Sequence, residues 1–293
     1  MLGVRGVWVA VVPIRRLVRA HFLAFLLGAL LPISAAVAAE PVLQIGVLPN
    51  VSARVLASQY EPMQAYLTQR LKQAVEISTA PDWREFYQRV KRGDYQVVVA
   101  AANVARLMEK DLGFKPLLAY EPKIPALLIA PLANTASVAR LVQGKSVALA
   151  NPASLVVFEG LQWLGGKGLE AGRDFQVLQV RRDDSVGGAV LRGEAAAGIL
   201  SMGEFRAHPD NLRAQLSIVS TMAEVASFLV CVAKDVDAER TAQIRSALLA
   251  FAQNSEEGKL FFQRTGFKGI VAVNERDLNG LNLYVDKTRN ALE

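Results

Sequence analysis

Short apolar runs alternate along the chain with longer segments whose apolar residues recur on one helical face. Val42–Pro49 reads as a strand stopped by proline. Ser52 then caps a helix carrying Val55, Leu56, Tyr60, Met63, Leu67 and Leu71 on one side, with Pro62 placed to kink or split it. Val75–Ile77 is a second strand. Asp82-Trp83-Arg84-Glu85 is a capping-box arrangement; it starts a helix with Trp83, Phe86, Tyr87 and Val90 on its apolar side, and Gly93 ends it. Val97–Val99 is apolar at every position, the pattern of a strand buried on both faces. Asn103 caps a short helix, and Leu117–Ala130 holds two extended pieces. From Ser137 the pattern restarts: a short helix to Gly144, a strand at Val147–Leu149, and a helix led in by Asn151-Pro152-Ala153-Ser154. A strand at Phe175–Val180, a helix capped by Ser185 and a strand at Gly198–Leu200 come next. Phe228–Ala233 is the last strand read, before helices around Ala238–Gln253 and Glu257–Arg264. Strands alternating with helices predict an α/β sheet protein.

One internal echo organises these elements. Arg92-Gly93-Asp94 and Arg192-Gly193-Glu194 each follow an amphipathic helix and each enter an apolar strand. The matching order around them predicts two lobes of similar topology rather than a long repeat array. The Cys231 strand follows the second lobe, so the chain returns to complete the first sheet, and two crossings make a hinge. The boundaries expected are 40–130 with 225–293 for lobe I and 131–224 for lobe II, with crossings near Leu128–Leu132 and Thr221–Ser227.

The first 39 residues follow a different pattern. Arg5, Arg15, Arg16 and Arg19 precede the apolar run Phe22–Ile33, which closes on Ala35-Ala36-Val37-Ala38-Ala39. This is the pattern of a secretory signal peptide cleaved near Ala39. The uninterrupted core is about 10–12 residues, short of the ~20 that a membrane span needs. Cleavage removes four arginines and no carboxylate, which takes the net charge from +6 to about +2. The balance that remains has no basic stripe for nucleic acid. Cys231 is the only cysteine, so no intrachain disulfide forms, and its apolar run marks it as a core residue. Of the two histidines, His21 leaves with the leader; His208, before Pro209, reads as part of a surface turn. A single histidine and a single cysteine argue against a His/Cys zinc site and against most nucleophile–histidine pairs. No metal or organic cofactor is implied.

Five stretches resemble the periplasmic binding components of phosphate, phosphite and phosphonate ABC importers. They are Ile45–Pro49, Gln59–Leu67, Ser137–Ala148, Asn151–Ser154 and Glu256–Lys259, in family order. The resemblance implies a two-lobed type II periplasmic binding protein, a hinged flytrap in the periplasm that binds a small molecule and catalyses nothing. Its partners would be that ligand and an ABC permease, and a monomer suffices. The family's run of hydroxyls after Asn151-Pro152-Ala153 is reduced here to Ser154, followed by Leu155, Val156 and Val157. Asn50 stands where the family often has an aromatic residue, and Ser201 where it has an acid.

Each residue expected in the cleft follows or ends a predicted strand, where ligands collect in open α/β sheets: Asn50 and Asn103 from lobe I, Asn151, Ser154 and Ser201 from lobe II. Ser154 also has the role of a helix N-cap open to it, and Asn50 and Asn103 those of turn or cap residues. Neutral amides and hydroxyls suit a polar solute or a modest anion, while Asp183 and Asp184 either repel a dianion, receive an amine or sit on an exposed loop. Two other functions stay open on the sequence: a sensing or ligand-free partner of a membrane signalling protein, and a soluble enzyme on the same fold.

Overall fold

Eleven strands and twelve helices are arranged around two sheets in the computed structural model, which describes residues 2, 3, 6, 41–149, 151–180 and 185–293. The leader's apolar core and cleavage point, and Arg182, Asp183 and Asp184, lie outside the described residues. In chain order the elements begin with β1 (Leu43–Val47), α1 (Ala53–Leu71), β2 (Val75–Ser78), α2 (Trp83–Arg92), β3 (Val97–Ala100), α3 (Ala102–Leu112), β4 (Lys115–Glu121) and β5 (Ile124–Pro131). They continue with α4 (Val138–Val142), β6 (Ser146–Leu149), α5 (Leu155–Gly165), β7 (Gln176–Gln179), α6 (Val186–Leu191), β8 (Ala197–Ser201), α7 (Met202–Ala207), α8 (Asp210–Arg213) and β9 (Leu216–Val225). The last are β10 (Leu229–Val232), α9 (Ala238–Asn254), α10 (Glu256–Thr265), β11 (Gly269–Ala272), α11 (Glu275–Gly280), a 3-10 turn (Leu281–Tyr284) and α12 (Val285–Leu292).

The first sheet has the order β11-β4-β10-β3-β1-β2, and the second β7-β6-β8-β5-β9. In each, the strand at the start of the lobe is flanked by two parallel neighbours: β1 lies between β2 and β3, and β6 between β7 and β8. The Arg-Gly-acid echo falls at equivalent places, before β3 and before β8. Gly93 and Gly193 both take positive φ, 80° and 73°, which glycine adopts without a Cβ penalty. Arg92 pairs with Asp94 at 3.1 Å and Arg192 with Glu194 at 2.6 Å, so the two turns are built alike.

Periodicity of two explains how β5 is buried on both sides. Ala126, Leu128 and Ala130 face the main core, which continues through the β10 strand and α5, while Leu127 and Ile129 join a separate cluster with Val186, Val190 and Phe205. This strand also shifts the first crossing from where the sequence suggests it. The chain leaves the first sheet after Glu121, through Pro122 and Lys123, and all of Ile124–Pro131 pairs with β8 or β9. A doubly buried apolar run fits either sheet by composition, and only its pairing assigns it. The return runs through Ala226-Ser227-Phe228. Ile124 is opposite Val225 and Ala119 opposite Leu229, so the two crossings run side by side.

Three local expectations also change. Pro62 neither splits nor ends α1: the Ser58 carbonyl that a proline leaves without its amide partner accepts from Arg264 Nη1 at 2.5 Å. Asn103 does not cap α3, because Ala101 holds that position and Asn103 lies inside the first turn. A short edge strand, β11, follows the helices and pairs with β4.

Candidate functional site

The carboxyl ends of β1 and β3 in one sheet, and of β6 and β8 in the other, carry the five residues expected in the cleft. After β1 the chain turns at once: Leu48 N–H donates to Val99 O and Asn50 N–H to Leu48 O, both at 2.9 Å, while the Trp83 indole donates to Pro49 O. After β6, Asn151 shapes its own turn. Its Oδ1 accepts from Ala153 N–H at 2.9 Å and its carbonyl from Ser154 N–H at 3.1 Å. Ser154 is the N-cap residue of α5 by position, but its hydroxyl makes no capping bond. Ser201 is a complete capping box: its hydroxyl accepts from Glu204 N–H at 3.1 Å and Glu204 returns a carboxylate oxygen to Ser201 N–H at 2.6 Å.

These residues fall into two groups. Asn103, Asn151 and Ser154 gather where the lobes already touch: Asn103 Nδ2 donates to Ala153 O across the cleft and to Thr288 Oγ1 of α12, each at 2.8 Å. Asn103 is fully buried, and its Oδ1 has no partner among the described residues. Beside it Tyr284 donates to the Glu159 carboxylate and stacks on Phe158, with centroids 6.1 Å apart and planes 10° from parallel. The Tyr284 hydroxyl is pushed up to about 12, by burial first and then by that carboxylate. Arg106 and Arg289 tie the same C-terminal segment to α3, through Asn279, Asn282 and a two-pronged contact with Asp111 at 2.8 and 2.9 Å. The Arg289 guanidinium holds the Asp111 carboxyl below its usual range.

Asn50 and Ser201 belong to the second group. They line one cavity of about 180 Å³ beside the crossings, with Lys123, Arg206 and Lys268 in its wall and no carboxylate. Lys123 has a loose 3.8 Å contact with Asp277, and Arg206 has no ionic partner among the described residues. The three cations come from a crossing, α7 and the loop before β11. They are scattered through the sequence as single charges, so no local motif announced them.

His208 departs from its expected place in a surface turn. It is buried, its Nδ1 lies 2.7 Å from Glu204 O, and its Nε2 accepts from Gly187 N–H at 3.2 Å. Those partners assign the proton to Nδ1. The ring thus fastens the start of α6 to the end of α7. Cys231 is buried at the centre of the first sheet, and burial pushes its thiol well above the usual range. Among the described residues no group of three His, Cys, Asp or Glu side chains is placed to hold a metal ion.

Two mixed sheets joined by paired crossings, with polar residues at the facing carboxyl ends of their strands, define a type II periplasmic binding protein. Comparison with known proteins agrees. The family model for the periplasmic phosphonate substrate-binding protein of ABC transporters matches residues 45–278. PhnD1 from Prochlorococcus marinus in complex with methylphosphonate superposes with a TM-score of 0.76 at 12% identity, covering 85% of this chain and 98% of its own. A binding-protein component of an ABC phosphonate transporter from Pseudomonas aeruginosa gives 0.74 at 14% identity over 86% and 89%. A protein from Xanthomonas citri bound to ATP gives 0.68 at 22% identity over 86% and 99%. No curated protein matches the sequence. The chain belongs to the phosphonate-binding family of periplasmic ABC-transporter substrate-binding proteins. That family and its structural neighbours are binding proteins, not enzymes.

Proposed function

We propose that the protein captures a small oxyanion, of the phosphonate or phosphate type, between its two lobes and presents the closed form to an ABC permease. The observation that carries this reading is the carboxylate-free cavity holding Lys123, Arg206 and Lys268 beside Asn50 and Ser201. Three cations attract an anion, and the amide and hydroxyl add neutral donors. This revises the neutral cleft expected from Asn and Ser alone. Asn103, Asn151 and Ser154 then serve to seat the lobes against each other, with Asn50 and Ser201 on the ligand side. Ligand contacts from both lobes shift the population toward the closed form that a permease recognises.

The lobes are taken as 40–122 with 227–293, and 123–226, following the strand pairing rather than the first expected crossing. Residues Glu40–Glu293 form one compact unit, which is consistent with export and cleavage of the preceding leader. N-terminal sequencing of periplasmic material should begin at Ala39 or Glu40, and an intact leader would reject that part of the reading. The protein works as a monomer.

Titration calorimetry with methylphosphonate, inorganic phosphate and methanesulfonate tests the ligand class. At least one oxyanion should bind, and Arg206→Gln should weaken it by about tenfold or more, the factor that ~1.4 kcal/mol represents. Binding of none of them, or binding indifferent to Arg206, overturns the proposal. A ligand-free regulatory role has one observation in its favour, the direct Asn103–Ala153 bridge between lobes. It gains if no probe raises the melting temperature.

A further inference from the structure

We infer that the cleft continues into a second chamber suited to a second anionic group, so that the ligand is an organic oxyanion with another negative charge on its substituent. This rests on the reading of the first cavity as the oxyanion site. The second chamber, of about 550 Å³, shares Gln59, Met202, Gly203, Arg206, Thr265 and Gly266 with the first. Its other walls bring in Arg213, Arg264 and Gln263, again with no carboxylate. The first chamber at about 180 Å³ is smaller than the ~300–1,000 Å³ typical of ligand pockets, and the second extends the space into that range.

The guanidinium groups are set in place by the backbone. Arg213 Nη1 donates to the carbonyls of Arg206 and His208 at 3.0 and 3.3 Å, and Arg264 Nη1 to Ser58 O at 2.5 Å. Each guanidinium carries five donors, so both retain some for a ligand. Their carboxylate partners, Asp210 and Glu61, are 92% and 72% exposed and lie outside the chamber wall. Arg206 stands at the shared wall, beside Gly266. A Cβ on that glycine would sit 2.7 Å from Arg206 Nη1, so the helix end is kept bare where the guanidinium passes. A ligand seated against Arg206 with its first oxyanion therefore projects its substituent toward two further arginines. α7 of one lobe and α10 of the other form the chamber's sides, so a second charge there strengthens closure as well as affinity.

The test compares two series of phosphonates by calorimetry: ω-carboxyalkylphosphonates with two, four and six methylenes, and the alkylphosphonates of matching length. At one length or more the carboxylate should tighten binding at least about tenfold over its uncharged counterpart, the factor for ~1.4 kcal/mol. Gln263→Glu, an exposed change in the wall of the second chamber, should remove most of that advantage, weakening the carboxylate series more than the alkylphosphonates of matching length. Arg213→Gln should reduce the advantage too, with melting temperature recorded to separate any loss of fold. Equal affinities for the two series at every length, or an advantage undiminished by Gln263→Glu, overturns the second chamber while leaving the oxyanion site standing. Binding of neither series overturns both.

Discussion

The two flanks of the cleft are closed by opposite means. On one, Asn103 donates to Ala153 and Thr288 and Tyr284 donates to Glu159, so the lobes meet through direct hydrogen bonds. On the other, Lys123, Arg206 and Lys268 line a cavity, and of the three only Lys123 has an ionic partner among the described residues, Asp277 at 3.8 Å. Buried polar groups that are already paired hold one geometry; charges left facing a cavity have affinity to spend on an outside anion. On the proposed function, the first flank sets how the lobes approach and the second decides what they close upon.

Breaking the paired flank should have the largest effect. Asn103→Ala removes the donor for two buried acceptors, Ala153 O and Thr288 Oγ1, and should cost about 2–4 kcal/mol in denaturant unfolding. A loss below the range for a surface substitution would mean that the flank is not a clamp. Gly266→Ala acts on the open flank: its φ of +81° costs an L-residue ~1–2 kcal/mol, and its Cβ also displaces Arg206. Oxyanion affinity should fall along with melting temperature, and a stability loss with unchanged affinity would separate Arg206 from the site. Tyr284→Phe keeps the stack on Phe158 and deletes one hydrogen bond to Glu159, for about 1 kcal/mol in the same unfolding assay.

The smallest effect is a pH dependence. Because Arg289 lowers the Asp111 carboxyl in the folded protein, that pair's contribution is complete above about 3.8, the unfolded value, and is lost as pH falls through the lowered one. The stability difference between the wild type and Arg289→Gln should stay constant from pH 8 to 5 and shrink only in stronger acid. A difference that shrinks near pH 6 would assign it to another group.

Most strands and helices were legible because their periods are unmixed, as in Trp83, Phe86, Tyr87 and Val90 along α2, and the Arg-Gly-acid echo correctly paired two turns a hundred positions apart. Where reading failed, a distant partner decided the outcome. Arg264 lets α1 run through Pro62, Gly187 and Glu204 draw His208 inside, and the flanking strands β8 and β9 claim all of β5 for the second sheet. The proposed site divides in the same way. Asn50 and Ser201 could be reached from their positions at strand ends, whereas Lys123, Arg206 and Lys268 converge only once both crossings are made. The turn at Asn151 and the capping box at Ser201 were not read from the sequence, while Ser154 is an N-cap by position but makes no capping bond.

The placement of Cys231 gives the chain a quiet chemical background. It sits on β10, the strand between β3 and β4, where burial holds it in the unreactive thiol form, so a thiol-directed dye reaches it only when the core around that strand opens. A single cysteine introduced on the exposed rim can therefore be labelled alone in the native chain, making the protein a ready scaffold for an optical reporter of lobe closure.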